Sequence, residues 1–144
     1  MNKGKRKSID EITEKIQDKF KMKFEKKQFP LGEWGNVDRC HLVNSNKCIF
    51  LEIEKGQSHP DTNVSKVWPY LRENRRVQIL LIQVFFAECL KKYKSRVLLS
   101  KWIGCELEKR FYRRFHYFRI MLSGREMHGI KKLREEVKEF CKDY

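Results

Sequence analysis

Between Ser8 and Phe24 apolar residues recur at a helical period: Ile9, Ile12, Ile16, Phe20 and Phe24, with charged residues filling most of the gaps. That spacing predicts an amphipathic helix with one buried face. Ser8 and Glu11, three residues apart, have the form of a capping box and set its start. Pro30 sets a limit, because the residue before a proline is pushed out of helical geometry. "FPLGEWG" then reads as a short extended piece. From Val37 to Val43 and from Cys48 to Ile53 the pattern turns strand-like, and the polar "NSNK" between them predicts a hairpin turn. "GQSHPDTN" is a loop. Asp61 or Thr62 is placed to cap a helix in "NVSKVWPYLREN", in which Pro69 predicts a kink or break. Val77–Phe86 is apolar at nearly every position, as in a central strand covered on both faces and paired in parallel. A helix over about Ser95–Arg110, a strand over Phe115–Leu122 and a last helix lined by Ile130, Leu133, Val137 and Phe140 complete the pattern.

This order predicts one α/β domain with a central mixed sheet flanked by helices. The 144 residues suit a single domain with its own core. Residues 1–7 are expected to form a basic flexible arm ahead of it.

Charge narrows the partners. The formal net charge is +14 and the isoelectric point about 9.7. Such a surface suits a polyanion, and nucleic acid is the expected one. Arg110, Arg113, Arg114 and Arg119 sit among aromatics in "KRFYRRFHYFR". Guanidinium to phosphate and ring to base would together form a nucleic-acid surface. Core packing by Phe115 and Tyr117 is the competing reading. The five cysteines are odd in number and lack C-x-x-C spacing, as in a reducing compartment. A zinc site from Cys40, His41, Cys48 and His59 fits no compact module. No apolar leader follows the basic start and no apolar run reaches the roughly 20 residues of a membrane span. A cytoplasmic protein with no membrane association is expected, and self-association as a homodimer is compatible with it.

The acids carry the candidate chemistry. Glu52 and Glu54 are two apart on a strand and point to one face. A three-residue turn would set Asp38 opposite Glu52 or Glu54, on the same face; a two-residue turn would send it to the other. Converging carboxylates repel unless a cation neutralises them, and oxygen ligands favour a hard ion such as Mg²⁺ or Mn²⁺. A wet strand face carrying Glu-x-Glu is the plain alternative. His59, in the following loop, is a further site candidate, whereas His41 reads as a packed histidine.

"GNVD" on one strand and "EIE" on the next, followed by a helix and a buried strand, resembles the PD-(D/E)xK nuclease superfamily. The resemblance spans Ser8 to about Phe86. It implies a restriction-endonuclease-like core, α-β-β-β-α-β, with a C-terminal α-β-α extension. It also implies a Mg²⁺- or Mn²⁺-dependent endonuclease hydrolysing phosphodiester bonds, DNA before RNA. Asp38 and Glu52 would be metal ligands and the Ile53 carbonyl a third. Glu54 departs from the pattern, since the family usually carries Lys there. Lys55 faces away, so Lys66 on the next helix is the substitute that the resemblance leaves. Glu11 or Glu14 would add an outer contact. Two other functions remain open: a basic nucleic-acid-binding domain of the same fold without catalysis, and an adaptor for an acidic protein.

Overall fold

A five-stranded mixed sheet organises the chain. The computed structural model describes residues 3–20, 22–124 and 126–142. Helix α1 (Lys3–Phe20) leads into a two-stranded ribbon, β1 (Phe29–Pro30) with β2 (Asn36–Val37), around a 3₁₀ turn at Gly32–Trp34. The main sheet follows: β3 (Arg39–Asn44), β4 (Lys47–Glu54), β5 (Gln78–Phe85), β6 (Phe115–Ser123) and β7 (Glu126–His128), in that spatial order. β4, β5 and β6 are parallel; β3 and β7 pair antiparallel at the two edges.

Helices cover both faces, as the apolar run in β5 requires. Ile49, Leu51 and Ile53 face α1 and the last helix, α6 (Ile130–Cys141), together with Ile9, Ile12, Ile16, Leu133 and Val137. Cys48, Phe50, Ile79, Leu81 and Phe115 face α2 (Thr62–Ser65), α3 (Val67–Glu73) and α5 (Lys94–Arg110) through Val64, Val67, Leu71 and Leu107. A short α4 (Ala87–Lys92) joins β5 to α5 and seats Cys89 against Phe85 and Val97.

Several expectations are corrected. The first helix begins at Lys3 rather than Ser8, so residues 3–7 of the expected arm are helical; Met1 and Asn2 lie outside the described residues. Ser8 does not cap: its hydroxyl donates to the Gly4 carbonyl one turn back. The same helix ends at Phe20, well before Pro30, and Phe24 reaches the core from the following extended segment. There the Gln17 side chain accepts from the Phe24 amide at 2.6 Å. The break between α2 and α3 falls at Lys66, not at Pro69. Pro69 sits in the first turn of α3, where its missing N–H costs little. Neither Asp61 nor Thr62 makes a capping bond to α2. Thr62 Oγ1 donates to the His59 carbonyl instead. Val37 faces the α2–α3 core while His41, opposite Ile49, faces the other way, because the strand is interrupted at Asp38. The short β7 and α4 escaped the hydrophobic pattern.

Candidate functional site at the carboxyl edge of the sheet

The hairpin register decides whether the acids meet. Ser45 and Asn46 form a two-residue turn, since Asn44 pairs with Lys47. Alone, that turn would send Asp38 to the wrong face. A bulge between Leu42 and Asn44 inserts one residue and restores the other phase, with Leu42 opposite Cys48 and Arg39 opposite Leu51. One step further along the same register lies Asp38 against Glu52. The β3 ladder has stopped there, and the Asp38 carboxylate takes over its role: Oδ2 accepts the Ile53 N–H at 2.8 Å.

Glu52 and Glu54 follow on β4 and point toward α2. Asp38, Glu52 and Glu54 are all buried. Lys66, at the junction of α2 and α3, answers them. Its Nζ donates to Glu52 Oε1 at 2.8 Å, to Asn63 Oδ1 at 2.8 Å and to the Asn36 carbonyl at 2.5 Å. The α2–α3 break is what aims Lys66 at the acids while Val64 and Val67 on either side stay in the core. Glu54 is held separately. Its Oε1 accepts from Asn63 Nδ2 at 2.6 Å and from Gln83 Nε2 at 3.2 Å, and its Oε2 is buried with no partner among the described residues. Gln83 also donates to the Pro60 carbonyl and accepts from the Tyr117 hydroxyl.

These surroundings set the protonation. Burial pushes the Glu52 carboxyl well up, the Asp38 charge pushes the same way, and Lys66 opposes both. Burial pushes Glu54 up to about 7, against the hydrogen bonds from Asn63 and Gln83. Tyr117 is pushed up, chiefly by burial, and keeps its proton for Gln83.

The donor set suits a hard cation only in part. Asp38 Oδ1 and Glu52 Oε2 accept no hydrogen bond from the described residues. Two such carboxylate oxygens with water completing the shell fit Mg²⁺ or Mn²⁺. Glu54 does not join them, and among the described residues no group of three or more His, Cys, Asp or Glu side chains is placed to hold a metal. The Ile53 carbonyl, the expected third ligand, accepts from Gln57 Nε2 at 3.1 Å.

The remaining candidates scatter. The expected arginine cluster is divided by the sheet. Arg119 is opposite Gln83, near the acids. Arg113 and Arg114 precede β6 at the amino edge, about 20 Å away along the eight-residue β4 strand. Arg114 serves the fold: its guanidinium donates to the carbonyls of Val77, Leu71 and Asn74. Arg110 lies over the Trp68 ring. His59 is exposed and enters the site only through its carbonyl. Glu11 and Glu14 face outward on α1. Cys40 and Cys48 are buried and share a face, whereas His41 packs on Phe24 and its Nδ1 lies against the Lys23 backbone, so the four-residue zinc set does not assemble.

Sequence reasoning missed Asn63, Gln83, Tyr117 and Arg39. Gln83 was visible only as a polar interruption of an apolar strand, and Asn63 as a residue one turn before Lys66. Arg39 is buried, donates to the Asp38 carbonyl at 2.6 Å and pairs with Asp10 on α1 at 3.0 Å, tying the strand next to Asp38 to the first helix. No family model, no curated protein and no solved structure matches the chain. No helix among the described residues is long and apolar enough to cross a membrane.

Proposed function

We propose that the chain is a metal-dependent nuclease of the PD-(D/E)xK type, with a restriction-endonuclease-like core, acting on nucleic acid and on DNA before RNA. The observation that carries this reading is Lys66: a cation delivered from the next helix to Glu52 Oε1 at 2.8 Å, beside Asp38, where the family's own lysine is replaced by Glu54. The carboxyl edge of parallel strands is also where α/β sheets favour ligands.

Asp38 and Glu52 would hold a Mg²⁺ or Mn²⁺ ion through Asp38 Oδ1 and Glu52 Oε2, which accept no hydrogen bond from the described residues. When bound, that ion would neutralise phosphate charge and acidify a water. The protein's own groups do the rest. The Lys66 ammonium offsets the negative charge that develops on the phosphate, and Asn63 fixes its direction. The Glu54 carboxyl, pushed up to about 7 by burial, would carry only part of its charge near neutral pH, which lessens the repulsion beside Glu52. Gln83 and Tyr117 hold Glu54 in place from behind.

The engagement of Glu54 by Asn63 and Gln83 favours a second reading. In it the same residues are a structural polar cluster, and the chain binds nucleic acid without cutting it. Plasmid nicking in Mg²⁺ or Mn²⁺ separates the two. Wild type should nick, while Asp38→Asn and Lys66→Met should each lose activity at least about a hundredfold, the usual scale for removing one electrostatic contributor. Wild-type protein that leaves duplex, single-stranded and branched DNA intact in both ions would overturn the catalytic reading.

A further inference from the structure

The end of the sheet away from the carboxylates has its own chemistry. There the last turns of α3 and α5, the loop before β5 and the turn before β6 come together. Arg72, Arg75, Arg76, Arg110 and Arg113 are exposed at this edge. Among the described residues, none of the five forms an ion pair. Two of them are instead stacked on rings. Arg110 Cζ lies 5.1 Å from the centre of Trp68, and Arg113 Cζ lies 5.4 Å from that of Tyr112. Both rings remain open to solvent, Trp68 at 39% and Tyr112 at 74%. Arg113 also holds a φ of 66°, in the left-handed region that a side chain with a Cβ enters at a cost. Such outliers concentrate at working surfaces.

We propose that the surface running from Trp68, in the first turn of α3, to the exposed arginines of the amino edge is a stacking platform for single-stranded nucleic acid. The proposal rests on the nucleic-acid part of the reading above and not on the acids. Guanidinium groups without carboxylate partners seek phosphate. Exposed rings beside them offer a flat face to a base, and any base can use it. In a duplex the base faces are already stacked on one another, so rings reach only unpaired bases. A membrane surface fits less well. It would need aliphatic side chains among the cations, and the exposed leucines of α5, Leu98 and Leu99, lie more than a dozen ångströms along the helix from Arg110. Glu136 and Glu139 are the acids that share a cavity with Arg113, and they lie on its α6 side, away from Trp68. A strand lying over Trp68, Arg110 and Tyr112 would therefore meet cations and rings in alternation.

The test is fluorescence anisotropy with an oligothymidylate and with a blunt duplex of equal length, across a salt series. Trp68→Ala and Tyr112→Ala should each weaken oligothymidylate binding by about tenfold, the effect of losing one stacked base. Duplex binding should change little. Arg110→Gln with Arg113→Gln should flatten the oligothymidylate salt slope by about 1.4, or ~0.7 for each phosphate no longer neutralised. Tyr112 is exposed enough that its replacement should not disturb folding, and Trp68→Phe should retain most of the binding. Unchanged oligothymidylate binding by Tyr112→Ala would overturn the platform. So would equal losses on oligothymidylate and duplex, or binding to phosphatidylserine vesicles that oligothymidylate does not compete away. The two readings fail separately. Wild type that nicks duplex yet does not bind oligothymidylate removes the platform alone, and wild type that binds it without nicking removes only the acid chemistry.

Discussion

At the scale of single residues, Glu54 is the group whose environment predicts most. It is a carboxyl sealed from water, with one oxygen that has no partner among the described residues. Burial is the largest influence on it and raises it from 4.5 to about 7. A carboxyl raised in the folded state binds its proton more tightly there than in the unfolded chain. Its favourable contribution is complete below about pH 4.5 and is lost as pH rises through about 7. The difference is worth up to about 3 kcal/mol at ~1.4 kcal/mol for each pH unit. Glu52 is raised too, so it acts in the same direction. Wild type should therefore be less stable at pH 8 than at pH 5. Glu54→Gln keeps an oxygen for Asn63 and removes the titration, so much of that pH dependence should disappear. Urea midpoints of the two proteins at both pH values check it. Equal pH dependence in both would mean that Glu54 stays ionised throughout.

Elements transmit what those residues need. Tyr117 on β6 reaches Gln83 on β5, which reaches Glu54 on β4, so the hub runs across three parallel strands. α5 has a glycine where it crosses Tyr117: a Cβ on Gly104 would lie 2.3 Å from the ring. Gly104→Ala should gain helix propensity yet lose more through forced displacement of the ring, for a net destabilisation of about 1–3 kcal/mol. Its thermal midpoint should fall, and any activity of the site should fall with it if the hub positions Glu54. An unchanged midpoint would mean that the helix shifts freely over the sheet. The strands of this core were legible because they are long and apolar: β5 showed parallel pairing from a run apolar on both faces, and β4 showed its two faces by alternation. β7 and α4 were not, since elements of three and six residues show no period. The hairpin was legible as a hairpin, but its register was not. Asp38 arrives beside Glu52 through a bulge combined with a two-residue turn, and neither leaves a composition signal. The split of the arginines was hidden for a related reason: neighbours in "YRRF" diverge at a turn, and one of them, Arg114, is used up on the carbonyls at the end of α3.

Taken as a whole molecule, a basic protein has gathered buried acids at one edge of its sheet and, at the other, exposed guanidiniums that form no ion pair among the described residues. The acid edge is then a place where a cation should add stability, and that can be measured without any assay of cleavage. A ligand that binds only the folded state stabilises it by mass action, by about 1.4 kcal/mol at ten times its dissociation constant. Millimolar Mg²⁺ or Mn²⁺ should therefore raise the melting temperature of wild type by about 5 °C, the shift expected for that energy in a chain of this size. The control must remove charge and keep the fold. Asp38→Ala fails on the second count, because the Ile53 N–H would lose its acceptor at 2.8 Å and an unmade buried bond costs about 1–3 kcal/mol. Asp38→Asn keeps a carbonyl oxygen for that N–H and removes the negative charge that raises both Glu52 and Glu54. Two effects should follow in one melting experiment. Without divalent ion, Asp38→Asn should melt above wild type, since repulsion among buried carboxylates is relieved. With divalent ion, wild type should climb and Asp38→Asn should not. A wild-type curve indifferent to both ions, with Asp38→Asn still melting higher, would make the acid cluster an electrostatic strain held by Lys66 and not a cation site.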